Sequence, residues 1–202
     1  MRDRRASRGG RGFTTRKVDT RPAQKVFLIV CEGAKTEPNY FRGFKVAGDV
    51  LDVRGIGDNT LSLVQQAAAL KEQGEYDQTW CVFDRDSFPA DRFNRALELA
   101  RHQGMWVAYS NEAFELWYLL HFAYHDAATA RADYGDRLSR HLGSRYAKNR
   151  DDIFDLLESR QPDAVRNTER LMAQYPAPDP EADNPSTTVH LLVAELNKYR
   201  RP

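Results

Sequence analysis

Two runs of this chain, VFLIVC at 26–31 and TWCVF at 79–83, carry almost no polar side chain, and each is followed at once by an acid, Glu32 and Asp84. A strand with one wet face alternates apolar and polar residues. A continuous apolar run this short reads instead as a strand covered on both faces, as in a parallel sheet between helices. The segments between the runs have helical spacing. A first strand over about 25–31 leads into a helix through TEPNYFRGFKV (36–46), whose Pro38 is tolerated in the first turn. A weaker strand, VLDVRGI (50–56), precedes a helix over 59–74, with Asn59 or Thr60 to cap it and Gly74 to end it. Then come TWCVFDRD (79–86) as strand, an amphipathic helix at 90–104 closed by Gly104, MWVAYS (105–110) as strand and an apolar helix at 112–125. This βαβαβαβα order predicts an α/β fold with a parallel sheet flanked by helices.

Beyond about residue 130 the strand signal ends. Residues 133–175 read as helices, the proline-rich stretch 176–188 as a loop, and a last helix runs to about Tyr199. The expected organisation is a disordered basic arm at 1–23, an α/β core at 24–130, and a helical extension at 131–202 packed on that core.

With 41% hydrophobic and 29% charged residues, the chain falls in the soluble globular class. No apolar stretch approaches the roughly 20 residues that span a bilayer. The basic N-terminus lacks the apolar segment of a secretory signal, and Cys31 and Cys81 lie inside apolar runs, where buried reduced thiols are expected. A cytoplasmic location without membrane contact follows as the expectation. Charge is unevenly spread: residues 1–25 hold nine basic and two acidic side chains, a net of +7, so a chain of net +1 leaves −6 for the rest. Basic arms bind phosphate backbones through counterion release, which makes nucleic acid the expected partner; a solvated tail is the competing reading.

Ligands of open parallel sheets collect at the carboxyl ends of the strands. Glu32 follows the first strand, and Asp84 and Asp86 close the third. In extended geometry the two aspartates face the same side. Glu37 lies five residues past Glu32, in the first turn of the next helix. Carboxylates crowded in a low dielectric repel one another, and a divalent cation relieves that repulsion. An all-oxygen set without His or Cys at metal spacing favours Mg²⁺ or Mn²⁺ over zinc. Against this stands the plain reading of helix caps and chance Asp-x-Asp. Other phosphate chemistries are missing their motifs: there is no G-x-x-x-x-G-K-[ST], no G-x-G-x-x-G after a strand, and no G-x-S-x-G elbow. His121 and His125, four apart on one helix, read as packing rather than metal ligands, and Phe114, Trp117 and Leu120 as core.

LIVCEGAKTEPNYF, VFDRDSF, SNEAFELWYLLHF and NPSTTVHLLVAEL together, over about 24–197, resemble the RloB-like family, which is associated with bacterial restriction and abortive-infection loci and related to the Toprim fold. The resemblance implies a Toprim-like sheet, with Glu32, Asp84 and Asp86 matching that fold's Glu and Asp-x-Asp pattern. It implies a metal-dependent nuclease of DNA or RNA, in which Asp84 and Asp86 hold Mg²⁺ or Mn²⁺ and Glu32 bridges to it or serves as general acid or base. The metal would activate water and neutralise charge on the scissile phosphate. Glu115 resembles a later Glu of Toprim-type nucleases and is expected to complete the metal shell. Lys148 is expected to meet transition-state charge, with Lys35, Arg145 and Arg150 as further phosphate contacts and NPSTT supplying hydroxyls. A partner ATPase from the same locus is expected. The alternative is a non-catalytic Toprim-like module that binds nucleic acid or such an ATPase. One departure is SNEAFE, where Glu112 stands in place of the proline of the resembled SNPxFE pattern.

Overall fold

The computed structural model describes residues 25–45, 51–57, 59–86 and 89–200. The basic arm predicted at 1–23 lies outside these residues. Five strands form one sheet: β1 (Phe27–Cys31), β2 (Leu51–Gly55), β3 (Gln78–Arg85), β4 (Trp106–Asn111) and β5 (Ser186–Thr187), in the order β2-β1-β3-β4-β5. The first four run parallel. The helices are α1 (Thr36–Arg42), α2 (Thr60–Lys71), α3 (Ala90–His102), α4 (Glu115–Leu120), α5 (Tyr134–Leu142), α6 (Ile153–Leu157), α7 (Gln161–Met172) and α8 (Val189–Asn197).

Strand parity divides the core into two layers. Phe27, Ile29 and Cys31 of β1, with Trp80 and Val82 of β3, join the layer built with α1 and α4 to α8. Leu28 and Val30, with Cys81 and Phe83, join the layer under α2 and α3. Both cysteines are buried thiols. The helices after residue 130 thus share one apolar layer with the sheet: Tyr134, Leu138, Leu157, Ala164, Leu171 and Leu192 are buried in it.

Local signals explain most boundaries. Asn59 caps α2 by accepting from the Ser62 N–H at 3.1 Å. That helix ends at Lys71, ahead of Gly74. Gly104, at φ +61°, turns the chain after α3 into β4. Helix α1 stops before Gly43, where a Cβ would sit 2.2 Å from Phe154 Cγ.

Two expectations need correction. The helix predicted at 112–125 is confined to Glu115–Leu120; at its C-terminal end the Leu120 carbonyl accepts from Asn167 Nδ2 of α7 at 2.8 Å in place of a helical N–H. The loop predicted at 176–188 contains β5, which pairs antiparallel with β4 through Ser110↔Thr187 and Asn111↔Ser186. A two-residue strand is too short for a periodic signal. It forms because Thr187 Oγ1 meets Ser110 Oγ at 2.9 Å and donates to the Tyr109 carbonyl at 3.0 Å. The Asn111–Glu112 and Asn184–Pro185 peptide bonds are cis.

Candidate active site

The strand order reverses between β1 and β3, so the crevice of an open α/β sheet opens at their carboxyl ends. Glu32 and Asp84 flank it, but they leave the sheet toward opposite layers. Glu32 shares parity with Leu28 and Val30 and reaches α2, where Thr60 Oγ1 donates to its Oε1 at 3.0 Å. Its Oε2 accepts the Asp84 backbone N–H, also at 3.0 Å. The partner that Glu32 needs at the strand end is therefore a pair of neutral donors. Burial raises its carboxyl above the ordinary range, and these two bonds oppose the rise.

Asp84 points into the other layer, toward α1 and α4. It is 5% exposed, and burial, followed by the charge of Glu37, lifts its carboxyl well above the usual carboxylate range. Asp84 Oδ2 is paired with Arg131 Nη2 at 3.1 Å, and Asp86 Oδ2 with Arg131 Nη1 at 3.4 Å. Asp84 Oδ1 is buried without a hydrogen-bond partner.

Glu37, in the first turn of α1, is 4% exposed. Burial, reinforced by Glu115 and Glu32 and opposed by its own backbone N–H and Arg131, pushes its carboxyl up to about 7. Its Oε2 is likewise buried and unpartnered. Only glycine at position 33 lets this carboxylate lie against the β1–α1 turn, since a Cβ there would stand 2.1 Å from Glu37 Oε2. Glu115 opens α4 and is also buried. Its Oε1 accepts from Tyr146 Oη at 3.1 Å and lies 3.7 Å from Lys148 Nζ.

Of these five carboxylates three pair with a cation, Asp84 and Asp86 with Arg131 and Glu115 with Lys148. Among the described residues, no three acidic, His or Cys side chains converge as a ready-made metal-binding group. The donor chemistry nevertheless fits a hard divalent ion: every candidate ligand is a carboxylate oxygen, and two buried ones lack partners. Asp84, Asp86 and Glu37 would hold such an ion, with Glu32 and Glu115 beside them.

The remaining site expectations divide. Lys148 reaches the acid cluster through Glu115 while remaining 60% exposed. Arg150 is held by Asp152 at 2.6 Å, and Arg145 is an exposed side chain. The NPSTT hydroxyls are engaged within the fold: Ser186 and Thr187 are buried in sheet pairing, and Thr188 Oγ1 accepts the Tyr109 N–H at 3.0 Å. Phe114, Trp117, Leu120 and His121 are buried. His121 meets the Trp117 carbonyl through Nδ1 at 2.9 Å, and burial lowers its imidazole to about 4. His125 Nε2 lies 2.8 Å from Thr129 Oγ1. Sequence reasoning missed Arg131, Thr60 and Tyr146. Tyr146, two residues before Lys148, was the most accessible of these; nothing local marks Arg131, 47 residues from Asp84.

This fold and site define a mainly parallel α/β domain with a carboxylate cluster at the switch point of its sheet. The chain belongs to the RloB-like protein family, whose model matches residues 27–196. No curated protein and no solved structure matches it. Among the described residues no helix is long and apolar enough to cross a membrane.

Proposed function

We propose that this chain is a Toprim-like, Mg²⁺- or Mn²⁺-dependent nuclease of a bacterial anti-phage, abortive-infection system, acting in the cytoplasm on DNA or RNA with a partner ATPase from the same locus. The observation that carries this reading is the pair of buried, unpartnered carboxylate oxygens, Asp84 Oδ1 and Glu37 Oε2, within a five-acid cluster at the sheet's switch point. Buried carboxylate oxygens without a partner are costly, and a divalent ion would meet both of these at once. A bound Mg²⁺ or Mn²⁺ supplies Lewis-acid chemistry and charge neutralisation at a phosphodiester. The chain's own residues do the rest. Lys148 and Arg131, both partly exposed, bind phosphate oxygens. Glu115 orients Lys148 and Tyr146. Glu32, fixed by Thr60 and the Asp84 N–H, holds or accepts a proton at its carboxylate.

The test is incubation of the purified protein with single- and double-stranded DNA, tRNA and other RNA, in Mg²⁺, Mn²⁺ or EDTA. Cleavage should require the divalent ion and disappear in Asp84→Ala. No cleavage of any substrate in either metal would sink the nuclease reading. It would leave a non-catalytic Toprim-like module that binds nucleic acid or the ATPase. One observation favours that second reading: Arg131 already bridges Asp84 and Asp86.

A further inference from the structure

Beyond Glu115 lies an open recess of about 520 Å³, lined by Glu115, Arg131, Ala132, Gly135, Tyr146 and Lys148. Its size falls within the roughly 300–1,000 Å³ of small-ligand sites. Its walls are chiefly carbon: the Ala132 methyl, the bare backbone of Gly135 and the half-buried ring of Tyr146. Glu115 is buried in it, whereas Arg131 and Lys148 are 42% and 60% exposed. The surrounding segment, 131–150, is the basic part of the folded chain. Six basic residues (Arg131, Arg137, Arg140, Arg145, Lys148 and Arg150) stand against Asp133 and Asp136, a net of +4.

We propose that this recess is a subsite for one unpaired nucleotide, so that the acid cluster is fed by single-stranded or looped nucleic acid rather than by duplex. The inference rests on the nucleic-acid reading above and adds the substrate class. Cations beside the recess suit a phosphate, and an apolar hollow with an aromatic wall suits a base face. In a duplex the base faces are stacked, and only base edges and backbone are open to a protein. A base enters such a hollow when it is already unpaired, or at the cost of unstacking it. The Tyr146 hydroxyl is occupied by Glu115, which fixes the ring as a wall.

Gly135 offers a clean test. A Cβ built there meets nothing nearer than Tyr146 Cδ1 at 3.9 Å, ordinary van der Waals contact, so a larger side chain starts into the recess from an unstrained Cβ. Leucine also favours helix over glycine by up to about 1 kcal/mol, so Gly135→Leu should fold at least as well as the wild type. Binding of oligonucleotides of about 12 nucleotides, within the site sizes of single-strand binders, is measured in EDTA at physiological salt. DNA and RNA are each used as single strands and as duplexes. The wild type should prefer single strands. Gly135→Leu should weaken single-strand binding by about tenfold, the scale of one stacked base, with duplex binding unchanged. Ala132→Leu, at an exposed wall position, should act the same way and serves if Gly135→Leu does not fold. A folded variant that binds single strands as tightly as the wild type, or a wild type that prefers duplex, overturns the proposal. The nuclease reading fails separately: single-strand preference in EDTA without cleavage in any metal sinks that reading and keeps the subsite. Metal-dependent cleavage by wild type and variant alike, without strand preference, does the reverse.

Discussion

Asp84 combines burial, like charge and one cationic partner, and each of these acts on a different observable. Asp84→Asn keeps the shape, removes a charge from a self-repelling cluster and leaves Arg131 to Asp86. The metal-free variant should melt at or above the wild-type temperature, and excess Mn²⁺, which should raise the melting temperature of the wild type if the proposed site binds it, should not raise that of the variant. Thermal melts with and without Mn²⁺ read both effects, and a full Mn²⁺ shift in the variant would remove Asp84 from the ligand set. Glu37 gives a pH prediction. Its folded carboxyl is raised to about 7 from an ordinary 4.5 by burial, facing Glu115 and Glu32 with Arg131 in opposition. The folded state therefore holds this proton to higher pH than the unfolded chain does. The resulting stability is fully present below about 4.5 and is lost as pH rises through about 7, and the upward shift of Asp84 has the same sign. Denaturant midpoints of the metal-free protein should fall between about pH 5 and pH 8, and fall less steeply in Glu37→Gln. Equal slopes would mean that Glu37 is not the group responsible.

At the level of elements, short-range and long-range signals part company. The apolar runs of β1 and β3 made their strands and buried faces readable, because continuous burial leaves a continuous apolar record. Helix α2 was readable from its cap and α3 from its closing glycine. By contrast, β5 exists through hydroxyl pairing with β4, 77 residues away along the chain, and the end of α4 is met by a side chain of α7. Thr187→Val should thus cost about 1–3 kcal/mol, since it leaves the buried Ser110 hydroxyl without its partner, takes the Oγ1 acceptor from the Val189 N–H and removes one of the two donors to the Tyr109 carbonyl. Chemical denaturation measures that loss. An unchanged midpoint would show that β5 is held by its backbone pairing alone.

For the whole molecule, the proposed nuclease activity requires a polyanion to reach a cluster of acids. Residues 1–23 carry eight basic and two acidic side chains, a net of +6, and the segment 131–150 carries +4. Deleting 1–23 should weaken nucleic-acid binding and flatten its dependence on salt, leaving single-strand preference intact. An unchanged salt slope would assign the electrostatic contact to the folded surface. The α/β class, the parallel strands and the acids Glu32, Asp84 and Asp86 at their ends are legible in the primary structure, because strand burial and chain exit are local properties written in consecutive residues. That Glu32 turns to Thr60 while Asp84 turns to Glu37, that Arg131 bridges Asp84 and Asp86, and that Tyr146 and Lys148 meet Glu115 emerges from the folded packing alone. Those contacts join residues 28 to 47 positions apart, and no periodicity or cap specifies which distant side chain will fill a space until the layers have packed.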